Sequence, residues 1–233
     1  MTQSESLIQR IEQHKIKNIE SKRCENNIIE SKNIIMEQLI QEYPNEDISW
    51  QQTMHNKNII KYLSVINPDM PDYTFQQNHP KSYVRPDGGF LFWNNNIVIC
   101  AEVKKQGTNK KRMEEGKKKQ ALGNAIERLG KNLSLCRTIF RQDIILPFVC
   151  FGHGCDFSPQ ETILDRGSSM NEFHPLNKIF VYNNPPYEPC SIFLREKEWG
   201  IEEMTSIMYE IVQISTDYYK KNNMKDKHIL LRG

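Results

Sequence analysis

No stretch of about 18 consecutive apolar residues occurs in this chain, so no membrane-spanning helix is expected. The first residues, Met1 to Gln13, are polar throughout and lack the apolar centre of a signal peptide, which makes the cytoplasm the expected location. Nothing repeats at a fixed period and no low-complexity linker divides the sequence. Its 233 residues are therefore expected to form one domain with a sizeable core. Cysteine is sparse. Cys24, Cys100, Cys136, Cys150, Cys155 and Cys190 are scattered without paired spacing, which argues for buried thiols rather than a disulfide framework. Cys150, His153 and Cys155 stand close together, but no second CxxC accompanies them and the spacing does not fit a paired zinc site. That segment reads as the end of a strand running into a glycine turn. Neither sign of charge prevails overall: the net charge is +2 although 26% of residues are charged.

What is present is mainly periodicity. Isoleucines and leucines recur at helical intervals between charges over residues 5–42, and Pro44 with Asn45 ends the pattern. Residues 46–80 are mixed, with a helix over 58–66 and a proline-containing loop from Asn67 to Pro80. Two strands are expected next, Phe90 to Trp93 and Ile97 to Val103, joined by the turn-forming run Asn94 to Asn96. The second is nearly continuous in apolar residues and so belongs in the centre of a sheet. A helix is expected over 120–140, further strands over 144–151, 178–182 and 191–195, and a last helix over 201–220. The lysine-rich tail from Lys220 to His228 is expected to be mobile. Strands and helices alternate loosely, which predicts an α/β fold with a mixed sheet between helices.

Charge is unevenly placed. From Lys104 to Lys119 there are eight basic residues against two acidic ones, in a chain whose net charge is only +2. Such a block suits contact with a phosphate backbone, and equally a solvated helix face. The same region carries the candidate chemistry. Glu102 and Lys104 are two residues apart on one strand, so their side chains share a face. A hairpin can bring Asp87, which follows Pro86, opposite them. Two carboxylates and an ammonium would then converge at the end of an apolar strand, where charge is costly unless used. Hard oxygen donors of this kind suit magnesium, and the set suits metal-assisted phosphodiester hydrolysis, with lysine stabilising the charge that develops on phosphorus. A surface ion pair at a strand end is the plainer reading of the same spacing.

Pro86-Asp87-Gly88-Gly89 and Ala101-Glu102-Val103-Lys104 resemble the PD…(D/E)xK signature of EcoRI-type type II restriction endonucleases. Gly123-Asn124-Ala125-Ile126-Glu127-Arg128 resembles the recognition segment of the EcoRI/MunI group, and shorter matches at Leu146–Val149, Leu164–Arg166 and Met208–Thr216 keep the family's order. The likeness covers roughly residues 80–220, and residues 1–75 carry none. It implies a restriction-endonuclease-like fold with a central sheet of about five strands flanked by helices. It also implies a homodimer, Mg2+ as cofactor, double-stranded DNA as partner, and a cognate DNA methyltransferase in the same system without direct contact. Position by position, Asp87 and Glu102 would hold the metal and Lys104 would be the catalytic lysine. Asn124 and Ala125 would read adenine edges and thymine methyl groups in an AATT core. Glu127 and Arg128 would hold that segment, which opens at Gly123, and couple it across the dimer. Gln106 and Ala121 fall where outer bases are contacted, Arg166 falls near DNA, and the run containing Lys117, Lys118 and Lys119 would follow the backbone. Leu122 replaces the family's alanine and Gln120 precedes Ala121, so the outer base pair stays open. Cleavage would leave 5′ overhangs. A structure-specific or repair nuclease of the same fold would share Asp87, Glu102 and Lys104 but not the Gly123–Arg128 run, and a DNA-binding protein without catalysis would rely on the basic block alone.

Overall fold

The structure is a computed structural model that describes residues 3–69, 83–105, 114–116, 123–154, 157 and 190–233. It opens with a 40-residue helix, α1 (Gln3–Glu42). No proline or glycine interrupts that segment, and Pro44 follows its end. Cys24, Ile28, Ser31, Ile35 and Leu39 fall on one face at intervals of three and four, and all are buried. Strands β1 (Ile48–Gln51) and β2 (Met54–His55) follow, then α2 (Asn56–Ile66) and the short β3 (Tyr83–Val84). Strands β4 (Gly89–Trp93) and β5 (Asn96–Lys105) form the hairpin expected from the sequence. Asn94 and Asn95 turn it with φ of 48° and 58°, a left-handed conformation that asparagine tolerates better than most residues.

Helix α3 (Gly123–Ile139), strands β6 (Phe148–His153) and β7 (Cys190–Arg195), helix α4 (Ile201–Lys221) and a 3-10 turn, η1 (Ile229–Leu231), complete the described chain. The main sheet has the order β1-β4-β5-β6-β7. Its first two pairings are antiparallel and its last two parallel. This is the mixed, helix-flanked sheet that the pattern of elements predicts. Strand β5 lies at its centre and is buried from Asn96 to Val103, which explains its unbroken apolar run. One face packs Phe90, Phe92, Cys100, Phe148 and Cys150 against α2, α3 and η1. The other packs Leu91, Ile99, Ala101, Val149 and Phe151 against α1 and α4. Cys150 and His153, at even and odd positions of β6, face opposite sides of the sheet, and Cys155 lies outside the described residues, as does the strand expected over 178–182.

Some expectations shift. β6 starts at Phe148 rather than Ile144, because Pro147 cannot donate to a ladder and only its carbonyl is used, accepting from the Cys100 amide. β1 emerges from the stretch read as mixed. The tail expected to be mobile is docked. The amides of Asp226 and His228 donate to the carbonyls of Asn94 and Asn95, and the Lys227 amide donates to Asn96 Oδ1. Leu231 is wholly buried, and Lys227 pairs with the buried Asp143. The lysines hid this because the apolar surface buried here comes from scattered residues, Met224, His228, Leu230 and Leu231, set among charges.

His228 is enclosed by the rings of Tyr62, Phe140 and Tyr219. Its Nδ1 accepts the Ile97 amide, so the ring is held neutral. Burial first, and the Lys227 charge second, push its pKa from 6.5 down to about 3. Between those values the unfolded chain binds the extra proton and the folded one does not, so stability is lost as pH falls through the window. The urea-unfolding free energy is expected to decline as pH drops from about 6.5 toward about 3. His228→Asn, whose Oδ1 can accept the same amide, should be less stable at neutral pH but show a flatter decline. An unchanged slope in that variant would place the acid sensitivity elsewhere.

Candidate active site

The turn that enters β4 is built by Pro86, Asp87, Gly88 and Gly89. The Gly88 amide donates to the Ala101 carbonyl at 2.9 Å and the Gly89 amide to the Pro86 carbonyl at 3.1 Å. Neither glycine has room for a side chain. A Cβ on Gly88 would lie 2.8 Å from Ala101 Cβ and from Ile28 Cδ1, so the turn is pressed between β5 and α1. Gly89 has φ +72°, and a Cβ there would lie 2.5 Å from Trp50 Nε1 and 2.8 Å from the Gln51 carbonyl oxygen. Gly89→Ala therefore meets both backbone strain and immovable backbone. It is expected to lower the unfolding free energy by about 2–4 kcal/mol in a urea titration. A loss within experimental error would mean that the turn can rearrange.

The register pairs Gly89 with Ala101, which carries Asp87 to the level of Glu102 and Val103. The Asp87 amide donates to Glu102 Oε2 at 3.1 Å, and the Val103 amide donates to Asp87 Oδ2 at 3.3 Å. The Glu102 carboxylate is thus held by the main chain of Asp87, and the Asp87 carboxylate by the main chain of Val103. Period-two alternation brings Lys104 to the face of Glu102, and its ammonium pairs with Glu102 Oε1. The same nitrogen lies 3.2 Å from the Val103 carbonyl oxygen and 3.5 Å from Asp87 Oδ2. Burial is graded: the side chains of Glu102, Lys104 and Asp87 are 3%, 17% and 31% exposed, so Asp87 stands at the mouth. Glu102 can remain ionised at that depth because an ammonium and a backbone amide both serve it.

Three oxygens, Asp87 Oδ2, Glu102 Oε1 and the Val103 carbonyl, thus converge where the Lys104 ammonium now sits, and the three side chains sum to one negative charge. A hard, partly exposed oxygen set with net negative charge fits a small divalent cation that keeps some of its water. Among the described residues no group of three or more His, Cys, Asp or Glu forms a metal cage. Magnesium is usually held by one or two carboxylates plus substrate oxygens. Burial first, then the charges of Glu198 and Asp87, push Cys24 up to about 12, and its Sγ lies 3.5 Å from His153 Nδ1.

The structure brings Asp87, Glu102 and Lys104 together. It places Gly123, Asn124, Ala125, Glu127 and Arg128 in the first turns of α3, whose side chains there lie outside the described residues. α3 connects two parallel neighbours, β5 and β6. A crossover helix runs back over the sheet, so α3 begins at the end where β5 delivers Glu102 and Lys104. Gln106, Lys117, Lys118, Lys119, Ala121 and Arg166 lie outside the described residues. One neighbour of the site was not legible in the sequence. Gln52 Nε2 donates to the Pro86 and Asp87 carbonyls at 2.8 and 2.9 Å, from a position 35 residues before Asp87 in a segment without motif.

The family model described as restriction endonuclease EcoRI matches residues 12–163 of the chain. The chain is 27% identical over 221 residues to the type II restriction enzyme EcoRI of Escherichia coli, covering 76% of this chain and 79% of that protein. It is 26% identical over 222 residues to the type II restriction enzyme RsrI of Cereibacter sphaeroides, covering 78% and 79% respectively.

Proposed function

The chain belongs to the EcoRI restriction endonuclease family, and on that premise we propose that it is a magnesium-dependent type II restriction endonuclease. It hydrolyses double-stranded DNA within a short palindrome that has an AATT core and leaves 5′ overhangs. The observation that carries this reading is the convergence of Asp87, Glu102 and Lys104 at the end of β5, at the end of the sheet where α3 begins with Gly123-Asn-Ala-Ile-Glu-Arg128. Cleaving chemistry and a base-reading segment then share one end of the sheet, as sequence-specific cutting requires.

Asp87, Glu102 and the Val103 carbonyl would hold the metal. Magnesium bound there supplies charge neutralisation at the phosphate and lowers the pKa of an attacking water. Lys104 then has to leave Asp87 Oδ2 and turn its ammonium toward the scissile phosphate, where it stabilises the charge that develops on the phosphoryl oxygens. Water attacks phosphorus directly, without a covalent intermediate. Asn124 reads adenine N6 and N7 in the major groove, and Ala125 packs on a thymine methyl group. Glu127 and Arg128 hold that segment in a homodimer whose two-fold axis matches the palindrome. Activity of this kind requires a cognate DNA methyltransferase in the same system to protect the host sequence.

A plasmid of known sequence, digested with magnesium and sequenced at the fragment ends, tests the reading. Ends that share AATT behind a four-base 5′ extension are expected. Cutting without a shared sequence, or cutting undiminished by a chelator, would overturn it.

A further inference from the structure

We propose that Gln52 is a positioning residue for the metal-holding turn: its side-chain amide clamps the carbonyls of Pro86 and Asp87 and keeps Asp87 in place when its carboxylate exchanges Lys104 for a divalent cation. The inference rests on the metal-dependent reading above and adds a residue to it from the other side of the turn.

Gln52 sits in the gap between β1 and β2. Gln51, the residue before it, ends the β1–β4 ladder opposite Phe90. One more ladder step would face Gly89, but the chain diverges there and a side chain takes over the role of the backbone. Gln52 Nε2 reaches the Pro86 and Asp87 carbonyls, neither of which has a ladder partner. The base of this clamp is itself fixed, because Gln51 Nε2 donates to the Thr53 carbonyl at 2.6 Å and to the Leu231 carbonyl at 3.1 Å.

The contacts of the Asp87 carboxylate and of its own amide all involve a carboxylate that a cation would claim. Among the described residues its carboxylate is held by long contacts, 3.3 Å from the Val103 amide and 3.5 Å from the Lys104 ammonium. Its amide is held by Glu102 Oε2, on the second metal-holding carboxylate. A cation drawn between the two carboxylates weakens each of these contacts. The Gln52 amide acts on main-chain carbonyls and uses neither carboxylate, so, beside the main-chain bonds of Gly88 and Gly89, it is a side-chain tether that survives loading. Groups that orient a metal ligand from behind commonly set metal affinity by tenfold or more.

The test uses the full-length protein with a duplex carrying its site. Gln52→Met keeps the length of the side chain and removes the donor, while Gln52→Asn keeps an amide that is one methylene too short and serves if the first variant does not fold. Ca2+ binding to the protein–DNA complex by calorimetry is expected to weaken about tenfold in either variant. The Mg2+ concentration for half-maximal cleavage should rise in parallel, with the single-turnover rate at saturating Mg2+ close to wild type. DNA affinity and the thermal midpoint should change little. Unchanged Ca2+ affinity, or a lowered thermal midpoint with unchanged affinity, would overturn the positioning role. A wild-type protein that neither binds nor needs a divalent cation would instead overturn the metal-dependent reading itself.

Discussion

Asp87→Asn is expected to reduce the single-turnover cleavage rate by at least about a thousandfold, equivalent to about 4 kcal/mol of lost transition-state stabilisation. The fold should be nearly indifferent to it. The Asp87 side chain is 31% exposed and, among the described residues, makes the two long contacts given above, so removing its charge resembles breaking a surface pair, worth about 0–1 kcal/mol. Function and stability separate at this residue because it stands at the mouth of the cluster. Lys104→Met differs in kind. It too removes a group from the reaction, but it leaves Glu102, with a side chain 3% exposed, without its cation. Breaking one side of a buried pair costs about 3–5 kcal/mol, so this variant should lose cleavage and stability together. Urea unfolding beside cleavage rates, with specific DNA binding measured in calcium, distinguishes the two. Undiminished cutting by Asp87→Asn would remove it from the catalytic machinery.

Deleting residues 222–233 is expected to lower the thermal midpoint by about 10 °C or more, or to abolish folding. A mobile tail would predict no change. The deletion uncovers the core that Leu231 and His228 close, and removes the backbone bonds that hold the Asn94–Asn96 turn. It also strands Asp143, a carboxylate whose side chain is fully buried and loses its Lys227 partner. Burial already raises the pKa of Asp143, an effect that Lys227 opposes. Lys227→Met isolates that part of the loss and should account for only a portion of it. A truncated protein as stable as the full chain would show that these contacts are dispensable.

Both results bear on how much a sequence states locally. The β4–β5 hairpin was legible because every signal for it lies within the segment: asparagines that accept left-handed backbone, and an apolar run that needs cover on both faces. Period two alone put Glu102 and Lys104 on one face. Helices α1 and α4 were legible for the same reason at period 3.6. A helix over 120–140 was legible from the same period, whereas the Gly123–Arg128 run within it was marked only by its likeness to a family. Where the chain bonds to distant parts of itself, the pattern is silent. Nothing in Lys220–His228 distinguishes a solvated tail from one whose backbone amides reach a turn about 130 residues away, because backbone groups are the same in every residue. Gln52 is invisible for a related reason: a glutamine serving two carbonyls looks like any glutamine on a surface.

Composition and periodicity by themselves settled that the chain folds as an α/β sheet between helices, and that a carboxylate and a lysine share one face of its central strand. These follow from side-chain spacing and the cost of exposing apolar surface, both local properties. The tertiary structure alone decided that Asp87 joins them, that their charges share one point, and that α3 begins at the same end of the sheet. The first two are matters of register, set by the packing of Gly88 and Gly89 against Ala101, Ile28 and Trp50, and the last follows from the direction of the crossover between parallel strands. The cluster is a candidate catalytic centre because packing brought together what spacing had only made compatible.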